Sequence, residues 1–131
     1  MKTTKTVLII TDDSTETKKM AAGIASALKD NNVSVKSALE FKGNDLLPAD
    51  VFFLGCEGPK PGSFAYIEDL LSHINLAGRS CGVFSPGAKA TTTYLAGLLH
   101  DSEAALNPKS LLGSSLGEVK NWSQNVISKS F

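Results

Sequence analysis

Residues 6–17 read TVLIITDDSTET: a run rich in β-branched side chains, two adjacent aspartates, then three hydroxyl side chains around a glutamate. The apolar stretch Val7–Ile10 does not alternate with polar residues. A strand of that kind must be covered on both faces, as an interior strand of a parallel sheet is. Beyond it, Met20, Ala21, Ile24, Ala25 and Leu28 recur at helical spacing over residues 15–29. Strand, hydroxyl-rich loop and helix in that order suit a bound phosphate, because first-turn N–H groups and the helix dipole both favour an anion. Ser14, Thr15 and Thr17 offer hydroxyls to such an anion, but Asp12, Asp13 and Glu16 are carboxylic acids. A carboxylate about 6 Å from a phosphate, at an effective dielectric of about 20, costs roughly 2–3 kcal/mol per charge pair. Asp13 and Glu16 also have the spacing of a capping box, with Asp13 as N-cap and Glu16 reaching back to it. Cap and cradle are equally supported by the residues; in the free protein Asp13 is expected to cap the helix, with Asp12 and Glu16 opposing any bound phosphate.

Working outward, the same alternation continues along the chain. Val33–Ala38 reads as a second strand and ADVFFLGC (residues 49–56) as a buried third. Phe64, Ile67, Leu70, Leu71 and Ile74 mark a helix, and SCGVFS (residues 80–85) a fourth strand stopped by Pro86-Gly87. Tyr94, Leu95, Leu98 and Leu99 predict a third helix, Ala104–Leu112 a short fifth strand, and Val119, Trp122 and Val126 a closing helix. This pattern implies one α/β domain over residues 1–131, with a five-stranded parallel sheet in order 2-1-3-4-5 and helices on both faces. Ligands of such sheets sit outside the carboxyl ends of the strands, where strand order reverses. Three loops lie there: residues 11–17, 56–63 and 85–92. The second, within GCEGPKPGS, is either a shaped turn whose backbone can approach a flat ligand closely or, at least as well supported, a plain crossover between strand and helix. The third, SPGAKATTTY, presents Ser85, Pro86, Gly87 and the cation Lys89 ahead of a helix. Tyr94 can pack on a ring or fill the core, and a lone aromatic more often does the latter.

Composition narrows the function classes. The chain has 131 residues, 42% of them hydrophobic and 20% charged, which suits a folded domain. Thirteen basic and thirteen acidic residues balance, so no global field draws nucleic acid or an anionic membrane. The start, MKTTKTVLII, runs into a strand without a full signal-peptide core, and a cytoplasmic location is expected. Cys56 and Cys81 fall near opposite ends of neighbouring strands, roughly 13 Å apart at about 3.3 Å per residue, so they are expected to stay reduced. With His73 and His100 they make a poor zinc site. Those histidines fall within or after helices, away from the three loops, and no Ser/His/Asp order, GxGxxG or GxxxxGK[ST] is present.

Three stretches carry a resemblance to short-chain flavodoxins that extends over nearly the whole chain. ADVFFLGCEGPKPGSF is similar to the third strand and following loop of that family. IEDLLSHINLAGRSCGVFSPG is similar to its third helix and fourth strand, and EVKNWSQNVIS to its closing helix. The resemblance implies a flavodoxin-like three-layer sandwich, non-covalent FMN, and one-electron transfer between redox partner proteins. It also implies FMN contacts from Asp12, Asp13, Ser14, Thr15, Glu16, Thr17, Glu57, Gly58, Phe64, Ser85, Pro86, Gly87 and Tyr94. Against the family's phosphate loop, S/T-x-T-G-x-T, Thr17 matches and Ser14 keeps a hydroxyl, whereas Asp12 replaces a hydroxyl and Thr15 a glycine. Two alternatives stand beside this reading: a flavin-free interaction or regulatory module on the same scaffold, and a small flavin reductase. Asp12-Asp13 also resembles the acidic pair of receiver domains, but Leu54-Gly55-Cys56 lacks the phosphoacceptor aspartate that receiver function requires.

Overall fold

A computed structural model describes residues 5–45, 48–58, 62–76, 78–87, 89–102, 104–106, 110–112 and 116–128. The chain alternates β1 (Thr6–Thr11), α1 (Thr15–Ala27), β2 (Asn32–Ser37), β3 (Val51–Gly55), α2 (Ala65–Leu71), β4 (Ser80–Ser85) and α3 (Lys89–Leu98). It closes with β5 (Ala105–Leu106), β6 (Leu111–Leu112) and α4 (Leu116–Ser128). The strands lie in order β2-β1-β3-β4-β5, as the alternation predicts, and every described pairing is parallel. The fifth position differs from expectation. Two short pieces fill it, with Ala105–Leu106 beside Ser80–Cys81 and Leu111–Leu112 beside Phe84–Ser85. Pro108, which has no amide proton to give a ladder, lies between them, outside the described residues.

The uninterrupted apolar runs have the predicted consequence, since each strand feeds two cores. On one face Leu8, Ile10, Phe52, Leu54 and Val83 pack with Ile67 and Leu71 of α2 and Leu95 of α3. On the other, Val7, Ile9, Val51, Phe53 and Phe84 pack with Met20, Ala21 and Ile24 of α1 and Val119, Trp122 and Val126 of α4. β1 and β3 are therefore covered on both sides, and the ends of their strands, with that of β4, form a fixed crest from which the loops spring.

The second core is closed by aromatic groups seated on glycines. The Trp122 ring lies 5.4 Å from that of Phe53 and 6.4 Å from that of Phe84. A Cβ at Gly82 would stand 2.9 Å from the Trp122 ring, and one at Gly55 would stand 2.2 Å from the Phe84 ring. Phe84 is fully buried and Trp122 nearly so, and an added methyl group would have to displace either ring from its packing. Gly55→Ala and Gly82→Ala are each expected to lower unfolding free energy by about 1–3 kcal/mol, the usual cost of overpacking a filled core. Gly97→Ala, on α3 with open space where its Cβ would go, is expected to raise it by roughly 0.5–1 kcal/mol. Urea unfolding followed by Trp122 fluorescence measures all three.

Candidate functional site

The crest is organised around one peptide unit. Glu57, just past β3, donates its N–H to Oδ2 of Asp12 at 3.0 Å. Its carbonyl accepts from Ser85 Oγ at 3.4 Å and from Thr91 Oγ1 at 3.3 Å. Ser85 Oγ in turn accepts the Gly87 N–H at 3.0 Å. The three loops that follow β1, β3 and β4 are thus tied together through Glu57. Backbone approaches backbone here, since a Cβ on Gly87 would lie 2.4 Å from the Glu57 carbonyl oxygen. Glycine is required at that position by space alone.

In the first loop the expected capping box is not formed. Asp13 is exposed, and Ser14 is the N-cap: its backbone is extended (φ −65°, ψ 133°) and its Oγ accepts the Thr17 N–H at 3.4 Å. Glu16 faces along the helix to Lys19 at 3.5 Å instead of reaching back. The cause is Asp12, whose Oδ1 accepts the Ser14 N–H at 3.3 Å. That side chain-to-backbone turn sets the residue two positions on as the start of the helix. Asp12 itself is only 7% exposed, and both its oxygens are engaged by backbone amides.

The remaining candidates are placed as follows. Thr17 is fully buried, and its Oγ1 has no hydrogen-bond partner among the described residues. Thr15 is exposed in the first turn, where amides have no carbonyl within the helix to bond. Gly58 is half-buried with open space on its Cβ side, whereas residues 59–61 lie outside the described set. Pro86 and Gly87 stand at the end of β4, Pro86 half-buried and Gly87 exposed. Phe64 is fully buried in the core beneath the second loop. Tyr94 is half-buried and donates its hydroxyl to Glu68 of α2, so α3 is latched to its neighbour. Burial first, then the Glu68 carboxylate that accepts this bond, raises the Tyr94 pKa.

Two participants escaped sequence reasoning. Thr91 is one of three consecutive threonines, and only its buried position marks it as a loop tie. Tyr66 is a half-exposed ring beside Phe41, the ring centroids 6.0 Å apart, on a cleft of about 360 Å³ between residues 38–42 and 62–66. Among the described residues no cluster of histidine, cysteine or carboxylate side chains could hold a metal, and the receiver-like reading of Asp12-Asp13 gains nothing from the structure.

Known structures share this architecture end to end. Flavodoxin 2 from Bacillus cereus, solved in its oxidised form, superposes with a TM-score of 0.84 at 22% identity, covering 95% of this chain and 99% of that one. A short-chain flavodoxin associated with a bacterial microcompartment gives 0.81 at 14% identity over 97% and 99% of the two chains. A flavodoxin from the domain Archaea gives 0.79 at 17% identity over 95% and 97%. This chain has the flavodoxin-like fold. No family profile matches the sequence, and no curated protein matches it either.

Within this flavodoxin-like crest, Cys56 follows β3 directly and donates its thiol to the Gly58 carbonyl at 3.2 Å. Burial, and after it the Asp12 carboxylate, pushes its pKa up to about 12, while burial alone pushes that of Cys81 well up. Both thiols are free, and the register sets Cys81 opposite Phe52, four residues before Cys56. Raised values mean that the neutral thiol persists through neutral pH, where the nucleophilic thiolate is scarce. In native protein at pH 8 a disulfide reagent is expected to label neither cysteine, with Cys56 labelling quickening only as pH climbs toward 12. In urea without reductant both should titrate at once, and fewer than two thiols per chain would refute the reduced state.

Proposed function

We propose that residues 1–131 act as one cytoplasmic, FMN-binding domain that carries electrons between redox partner proteins. The observation that supports this best is the crest itself: three loops locked together at the carboxyl ends of β1, β3 and β4, on a fold held by several flavodoxins. Bound FMN would supply the redox chemistry, and the protein would bind and orient it.

The fit of the residues to FMN rests on two features. Gly58 has open space where a side chain would stand, so a flat ring can approach the second loop. At the first loop, the first turn of α1 would offer amides to the phosphate, and the Thr17 hydroxyl, buried and without a partner among the described residues, would be available to it. Ser14, Thr15, Glu16 and Thr17 would face the phosphate end, and Glu57, Gly58, Ser85, Pro86 and Gly87 the ring end, with Asp12 bracing both. Phe64 is fully buried beneath the second loop, and Tyr94, half-buried, is held to α2 through its hydroxyl. The exposed carboxylates Asp13, Glu16 and Glu57 suit a partner with a basic face. Among the described residues no helix is long and apolar enough to cross a membrane.

A flavin-free interaction module is the second reading, and one observation favours it. Asp12 and Ser14 satisfy the Ser14, Thr17 and Glu57 amides without any ligand. Purification decides between the two. An electron carrier is expected to be yellow, to keep flavin absorption through dialysis or regain it on adding FMN, and to be reduced by dithionite. A colourless protein that quenches no FMN fluorescence at micromolar concentrations would overturn the electron-carrier reading.

A further inference from the structure

The carboxylate of Asp12 lies beside the place where a ligand anion would be expected, holding the amide of Ser14, the residue that caps α1. It follows the central strand β1, at the point where strand order reverses between β2 and β3, and it lies against the N-terminus of the thirteen-residue helix α1. Helix starts in that location attract anions because their amides are unpaired and the dipole is positive there. Asp12 is itself an anion, 7% exposed, and among the described residues no lysine or arginine pairs with it. Its charge is met instead by two backbone N–H groups, those of Ser14 and Glu57. Burial without a cation is tolerable for a carboxylate only when donors of this kind surround it. Ser14 Oγ takes the Thr17 amide, and the Thr17 hydroxyl left over is fully buried.

We propose that Asp12 is the resident anion of this site, so that a phosphate on the ligand contributes little and the flavin is selected by its ring. This rests on the FMN reading above for the identity of the ligand, but not for the role of Asp12. A phosphate entering the first turn would meet the Asp12 charge at close range. It could relieve that repulsion only by turning Asp12 out, which would also release the Glu57 amide and slacken the tie between the first two loops. Phosphate binding and loop locking therefore oppose one another in this chain. A phosphate-free flavin meets no such conflict.

Two measurements test this on the whole chain, with Asp12→Ser and the isosteric, neutral Asp12→Asn as variants. The first is the urea midpoint in inorganic phosphate against chloride at matched ionic strength. Asp12→Ser is expected to be less stable than wild type in chloride and to recover part of the loss in phosphate, by more than the general salting effect seen in wild type. Equal phosphate shifts in the two proteins would overturn the proposal. The second is titration with FMN and with riboflavin by fluorescence quenching. Wild type is expected to bind the two within about threefold of each other, and either variant to shift the ratio of FMN to riboflavin affinity toward FMN by about tenfold or more, whatever a looser second loop costs both ligands alike. A wild-type preference for FMN of about a hundredfold would equally overturn it. Phosphate recovery with no flavin bound by wild type would support the resident anion and overturn the FMN reading. Should Asp12→Ser not fold, Asp12→Asn, which keeps the shape and one acceptor oxygen, carries both comparisons.

Discussion

Everything at the carboxyl end of this sheet depends on the Glu57 peptide. Its N–H is held by a buried carboxylate from the loop after β1, and its carbonyl by the hydroxyls of Ser85 at the end of β4 and Thr91 in α3. A hydrogen bond to a charged acceptor contributes roughly 1.5–3 kcal/mol, and more is lost if the charge is left buried alone. That bond is thus the strongest of the three ties. The constraint propagates: Gly87 must lack a side chain because the Glu57 oxygen occupies the space, and Ser14 caps α1 because the same carboxylate holds its amide. Removing Asp12 would loosen a helix start and an inter-loop joint together.

Rigidity below the crest makes such a joint possible. Strands β1 and β3 are buried on both faces, and their register with β2 and β4 has no slack, since a one-residue slip would exchange the two cores. Phe84 over Gly55 and Trp122 over Gly82 lock the second core by shape as well as by burial. Loops that leave such strands start from fixed positions. Bonds of 3.0–3.4 Å across three loops need only short-range placement of each side chain.

This division explains what the sequence disclosed. Unbroken runs such as VLII and VFFLG can be stable only between two layers of helices, so sheet type, strand order and the two cores were legible. The fifth strand was less so, because each of its pairing segments is two residues long and so short a segment carries no periodicity of its own. The site was legible as a place, not as a network. D-x-x-E spacing matched a capping box, yet a competing carboxylate one residue earlier moved the cap to Ser14. Spacing reports which local bonds a helix start could make. It does not report that Asp12 would be drawn inward by an amide 45 residues away. Thr91 was hidden for the same reason, its partner being 34 residues distant.

A loop that satisfies its own amides has a thermodynamic consequence for any ligand. Where an anion site is left open, apo protein carries unpaired donors and ligand binding is coupled to local ordering. Here the donors of Ser14, Thr17 and Glu57 are already met within the chain, so these three are held before a ligand arrives. Preorganisation of that kind lowers the entropic cost of binding a ligand there, and the charge already present raises the cost of admitting a second anion. The same carboxylate sits beside Cys56 and helps to keep its thiol protonated. One buried charge therefore joins the loops, adds to the effect of burial on the neighbouring cysteine and repels any second anion beside it.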